Sequence, residues 1–287
     1  MVFVPACAAP FVSPSPPASF ENTPTKTVLP TEPNPFQTPT STPNPTETQT
    51  SVPVTNTAIP TQTFVPTLVP VTPGKSDVTY SNQPDLQGYL CVPDGVAPLP
   101  AVIYHHGGKE GAIGGAPEEA CAELAQAGFV GFAPIRRSEE SMDGNLQDVL
   151  VAAEYVGNLP YVDTDRMAIL GFSRGGLLTF LAAADRPNDY KAIVIMAAAV
   201  GIVNQFQNRI DNIVAPVLLL ISENDVAQAN HVLVMMQLEE ALLAADKETT
   251  LIVYPPFGND GHRMFFEIGN YWQDVESFLI DNLKLSE

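Results

Sequence analysis

From Asp77 to the C-terminus, short runs of consecutive apolar residues alternate with stretches whose apolar positions recur every three or four residues. The runs at 101–104, 129–134, 167–170, 192–196, 217–221 and 251–254 are apolar at successive positions, so each predicts a strand covered on both faces. A shorter strand is predicted at 87–92. Helical patterns lie between them. Pro117, Glu118 and Glu119 open a helix with proline and negative charge in its first turn, and Gly128 closes it. Leu146, Val149, Leu150, Ala153 and Val156 make one face of a helix over 145–157. Further helices are predicted up to Ala184, at 202–213, at 227–245 and at 268–283. The alternation predicts an α/β fold with a mostly parallel central sheet and helices on both faces, in which ligands sit at the carboxyl ends of the strands. Between the runs at 192–196 and 217–221 there is room for one helix and turns, so no cap domain is expected and the pocket should be open.

The residues just after each run therefore decide the chemistry. The run at 167–170 passes into Gly171-Phe172-Ser173-Arg174-Gly175 and then into a helix of small residues, a strand, nucleophile, helix arrangement. A serine at so tight a turn sits in strained backbone, and glycines on either side let strand and helix pass closely. A serine nucleophile needs a base, an acid to orient the base, and donors for the oxyanion, with acid and base following in the order Ser, acid, His. Of the four histidines, His105 and His106 precede the serine and His231 falls six residues past the candidate acid on a predicted helix, which leaves His262 as the base. Asp225, after the run at 217–221, is the chosen acid, with Glu223 and Asp260 as rivals. The oxyanion donors are expected to be the Arg174 amide and an amide of the loop after 101–104, Gly108 first and Gly107 second. His105 and His106 are expected to hold that loop by hydrogen bonds, and no third ligand at metal spacing accompanies them, so neither metal nor cofactor is implied. Arg136, Arg137 and Arg174 are placed near the mouth, where a cation would hold an acidic substrate group; the alternative is that Arg136 and Arg137 pair with Glu139 and Glu140.

Composition changes the picture at the N-terminus. Residues 1–76 are dominated by Thr and Pro without apolar periodicity, which predicts a disordered, extended stalk ahead of a hydrolase domain over 77–287. Ser/Thr/Pro tracts of this kind are often glycosylated at cell surfaces. Val4-Pro5-Ala6-Cys7 resembles the end of a bacterial lipoprotein signal, in which the cysteine becomes the lipidated N-terminus. No positive segment and only a short apolar run precede Cys7, so an ordinary tail is the alternative. The first reading implies membrane tethering through Cys7 and a domain outside the cytoplasm. Cys91 and Cys121 are expected to be buried free thiols, with pairing as the alternative. The net charge of −19 falls almost wholly on residues 77–287 and argues against nucleic acid or anionic lipid as partner.

His106-Gly107-Gly108, Val162-Asp163 to Arg166, Gly171 to Gly176, Ala215-Pro216-Val217-Leu218, Asn224-Asp225 and Tyr254-Pro255 with His262 together resemble an α/β-hydrolase of the dienelactone hydrolase and prolyl oligopeptidase group. The resemblance implies acyl transfer by Ser173, His262 and Asp225 on a small ester or a short peptide. Dienelactone hydrolases proper are similar but use cysteine, and oligopeptidases of that family carry a β-propeller where this chain has its Thr/Pro tract. The expectation is thus a serine esterase, with a peptidase of prolyl oligopeptidase type, or an inactive surface-anchored binding module, as alternatives.

Overall fold

In the computed structural model the described residues are 69–108, 111–137, 141–201 and 208–283. Ten strands are assigned among them: β1 Val69–Pro70, β2 Gly74–Asn82, β3 Asp85–Val92, β4 Val96–Ala97, β5 Leu99–His105, β6 Val130–Ile135, β7 Val162–Phe172, β8 Ala192–Met196, β9 Val217–Ser222 and β10 Thr249–Tyr254. The helices are α1 Pro117–Gln126, α2 Met142–Gly157, α3 Arg174–Asp185, α4 His231–Ala244 and α5 Trp272–Leu283. Eight strands make one sheet in the order β10-β9-β8-β7-β5-β6-β3-β2, while β1 and β4 pair separately. The six strands from β10 to β6 run parallel, and β3 and β2 complete the sheet as an antiparallel edge.

Every residue of β5, β8 and β9 is buried, which is what continuous apolar runs become when helices cover both faces. All six parallel strands fall on the predicted runs: β8 coincides with its run, β6 is shifted by one residue, and the other four extend by one to five residues at one or both ends. β2 had no apolar signature, because six of the nine residues of Gly74–Asn82 are exposed along the edge; it starts inside the stretch assigned to the stalk. Residues 1–68 of the expected stalk, with Cys7, lie outside the described residues, as do Glu139, Glu140 and residues 202–207 of the helix expected at 202–213, where a 3-10 turn, Ile210–Asn212, is described. The cysteine expectation is overturned: Cys91 on β3 and Cys121 on α1 form a disulfide, and both are buried. α4 begins at His231 rather than at 227, since Asn230 accepts the Leu233 amide and caps it there. No helix among the described residues is long and apolar enough to cross a membrane.

Candidate active site

Parallel strands deliver their carboxyl ends to one edge of the sheet, and the candidate residues lie just past four of them. β7 ends at Phe172 and α3 begins at Arg174, so Ser173 alone makes the turn, at φ 54 and ψ −116. This is a costly conformation for a residue with a Cβ, and it is held from both sides. The Ser173 amide donates to the Met196 carbonyl at 2.8 Å, and its carbonyl accepts from Leu177 and Ala199. A Cβ at Gly171 would lie 2.4 Å from the Gly175 carbonyl oxygen, and one at Gly175 would lie 2.0 Å from that of His105. Glycine is thus the residue that lets β7, α3 and the end of β5 pass one another.

The acid and the base arrive on the loops after β9 and β10. His262 Nε2 is 3.0 Å from Ser173 Oγ, and His262 Nδ1 is 2.8 Å from Asp225 Oδ2. Asp225 is wholly buried and His262 nearly so, with Phe172 packed against the imidazole at a centroid distance of 4.7 Å. The rival acids are elsewhere engaged. Asp260 accepts the His262 backbone amide at 3.1 Å, capping the turn that carries the histidine, and Glu223 is exposed with its amide bound to Tyr254. Asn224 joins the two loops: its Oδ1 accepts the Phe257 amide at 2.9 Å and its Nδ2 donates to the Gly258 carbonyl at 3.2 Å. Sequence reasoning used Asn224 only as part of a motif. Its bonds to a loop over thirty positions later could not be read from the chain.

On the other side of the serine, the loop after β5 departs from expectation in two ways. The Gly107 amide donates to Gly114 at 2.8 Å in an isolated bridge, so it is not available to an oxyanion. Gly108, at φ 86, makes no such bond among the described residues and remains a donor candidate, as does the amide of Arg174, the first residue of α3. His106 does hold the loop: its Nδ1 lies 2.7 Å from the Gly107 carbonyl and its Nε2 accepts the Arg136 amide at 3.3 Å. His105 does not, because both its ring nitrogens are buried without a hydrogen-bond partner. Burial, with Arg136 nearby, depresses His106 to about 3 and His105 well below the usual histidine range, so both rings are neutral.

A cavity of about 190 Å³ opens beside Gly108 between Ile113, Arg136, Arg137 and Asn145. Arg137 pairs with the buried Asp148, Nη2 to Oδ1 at 2.6 Å, rather than standing free at the mouth. Arg136 is buried, donates Nη1 to the His106 carbonyl at 2.7 Å, and has no hydrogen-bond partner at Nε and no carboxylate partner among the described residues. Burial and the neighbouring Arg174 lower it to about 10, which leaves it charged at neutral pH. Asn145, which sequence reasoning passed over because it lies on a helix, accepts Arg174 Nε at 3.0 Å and donates to the Arg137 carbonyl.

Donor atoms of Asp225, His231 and His262 lie within 4.8 Å of one another. Both ring nitrogens of His262 in this group are already engaged, by Asp225 and Ser173.

Comparison with known proteins bears on the family and the fold. Residues 138–212, which include Ser173, match the prolyl oligopeptidase family. The chain is 27% identical over 138 residues to the uncharacterized peptidase YtmA of Bacillus subtilis, an alignment covering 46% of this chain and 53% of that protein, so the match spans about half the length of this relative. Among solved structures, a Klebsiella pneumoniae protein assigned as a dienelactone hydrolase superposes with TM-score 0.58 at 21% identity, covering 75% of this chain and all of that one. Esterase 2 of Thermogutta terrifontis, phosphorylated by paraoxon, superposes with TM-score 0.59 at 18% identity, over 73% of this chain and 94% of that one. At such identities the likeness is one of fold.

Proposed function

We propose that this chain, whose fold is that of the α/β-hydrolases and resembles their dienelactone hydrolase and prolyl oligopeptidase members, is a serine hydrolase that cleaves carboxylic esters of small substrates. The observation that carries the reading is the continuous hydrogen-bonded line from Asp225 through His262 to Ser173, with the serine on a strained turn at the sheet edge. Ser173 Oγ attacks the ester carbonyl as His262 Nε2 takes its proton. Asp225 holds the ring and balances the imidazolium. The amides of Gly108 and Arg174 receive the oxyanion, each such donor contributing on the order of 3 kcal/mol. His262 then protonates the leaving alcohol, and water, deprotonated by the same ring, releases the acid from the serine. The cavity beside Gly108 suits a small group, and the buried cation of Arg136 favours one bearing a carboxylate.

A peptidase is the second reading, favoured by the prolyl oligopeptidase match and by the peptidase designation of the Bacillus subtilis relative. Placement outside the cytoplasm, with tethering through Cys7, also belongs to the proposal; the Cys91–Cys121 disulfide supports an oxidising compartment. The test is labelling by a fluorophosphonate probe and hydrolysis of p-nitrophenyl acetate, p-nitrophenyl butyrate and dipeptidyl p-nitroanilides by wild type and Ser173→Ala. Labelling and ester turnover should both vanish in the variant, with turnover falling at least about a thousandfold. Anilide turnover exceeding ester turnover would favour the peptidase. A folded wild type that stays unlabelled and inactive would leave a binding module on a hydrolase scaffold.

A further inference from the structure

The relay leaves one oxygen of its acid unaccounted for. Asp225 Oδ2 holds His262, but Oδ1 is buried and has no hydrogen-bond partner. The nitrogen facing it is His231 Nδ1, 3.8 Å away, which is equally buried and equally without a partner. Two such buried orphans facing each other are costly apart and compatible together. A water between them would need two legs of ordinary hydrogen-bond length, more than this gap offers a well-angled bridge.

We infer that His231 is a positioning residue for the acid of the relay, its neutral ring carrying the proton on Nδ1 and donating it to Asp225 Oδ1 when the site tightens around substrate. The inference rests on the relay proposed above. His231 is well placed and well anchored for it. It is the first residue of α4, its backbone amide bonds to the Asp225 carbonyl at 3.1 Å, and its ring stands edge-on to that of His262 at a centroid distance of 4.5 Å. The groups facing it are Asp225 on the loop after β9, His262 and Asp260 on the loop after β10, and the Ala197 backbone after β8. Burial outweighs Asp225 and, with His262, lowers the His231 pKa below the ordinary histidine value, so one N–H must choose between the Ala197 carbonyl and the carboxylate. The charged acceptor is the stronger. With both oxygens held, the carboxylate cannot rotate away from His262.

The side-chain amide nitrogen of asparagine reproduces Nδ1 of histidine, while that of glutamine reproduces Nε2. His231→Asn should therefore keep kcat for p-nitrophenyl butyrate within about threefold of wild type, while His231→Gln loses about tenfold or more in kcat with KM unchanged. Thermal melting of both variants separates this effect from loss of fold. Equal kcat in the two folded variants, or a loss confined to KM, would overturn the inference. Nitrogen NMR of the wild type supplies a reading that needs no variant: at neutral pH, His231 should be the Nδ1–H tautomer, and a protonated Nε2 with bare Nδ1 would overturn it. If wild type itself fails to label with a fluorophosphonate, the relay reading has failed; a labelled, active wild type with the wrong tautomer sinks only the role of His231.

Discussion

The two sides of the candidate site are built by different means. On the serine side, backbone fixes backbone: Ser173 is held at its strained angles by main-chain bonds to Met196, Leu177 and Ala199, and Gly171 and Gly175 leave no room for any side chain. On the acid and base side, side chains fix the backbone: Asn224 ties one loop to the next, Asp260 caps the turn that carries His262, and the Ser222 hydroxyl lies 3.0 Å from the Pro255 carbonyl. The first arrangement has no alternative conformation that preserves the fold. The second places its histidine through contacts that one substitution removes while the sheet stands. Nucleophile geometry should therefore be coupled to global stability, and base geometry should be coupled mainly to turnover.

Gly175→Ala tests the first half and should have the largest effect. The added Cβ would sit 2.0 Å from the His105 carbonyl oxygen, backbone against backbone, with no flexible atom to yield. Stability in urea should fall by on the order of 3 kcal/mol or more, and probe labelling should disappear with it. Near-native stability in this variant would break the comparison.

Asn224→Ala tests the second half. Removing its bonds to Phe257 and Gly258 frees the loop that presents His262, so kcat for p-nitrophenyl butyrate should fall about 10- to 100-fold, by the sensitivity of turnover to a misplacement near 1 Å. The stability loss should stay within about 2 kcal/mol, the scale of one or two hydrogen bonds. A large stability loss with unchanged kcat would reverse the assignment of roles.

The same division explains what could be read along the chain. Ser173, Asp225 and His262 were legible because each comes soon after a run of apolar residues, and a parallel sheet carries such positions to one edge whatever the details of the loops. The glycines around Ser173 were legible for a local reason, a turn too tight for side chains. The remaining positions depended on partners far away in sequence. Nothing near Gly107 signals that its amide is taken by Gly114, nor near Arg136 that it lies under the His106 carbonyl. Cys91 and Cys121 come from a strand, β3, and a helix, α1, whose approach only the fold sets. β2 lacked a pattern because an exposed edge needs no apolar face. His231 was set aside as a base for its nearness to Asp225, and that same nearness brings its Nδ1 to 3.8 Å from Asp225 Oδ1.

His105 offers the smallest and most selective test, because it sits on the serine side yet makes no hydrogen bond through its ring. Burial holds its folded-state pKa well below the ordinary histidine value, whereas the unfolded chain titrates near about 6.5. Between those values the unfolded state binds the extra proton, so stability is present above about 6.5 and is lost as the pH falls below it. For one such group the loss between pH 6.5 and 5.5 is about 1 kcal/mol. His105→Leu removes the titration without breaking a bond, so the stability difference between wild type and variant, measured by urea unfolding, should shift by about 1 kcal/mol in favour of the variant across that interval. His106 contributes a similar dependence to both proteins and cancels in the difference. A difference that does not change with pH would mean that the ring finds a partner in solution, and the end of β5 would then be held by a side chain, as the base side is.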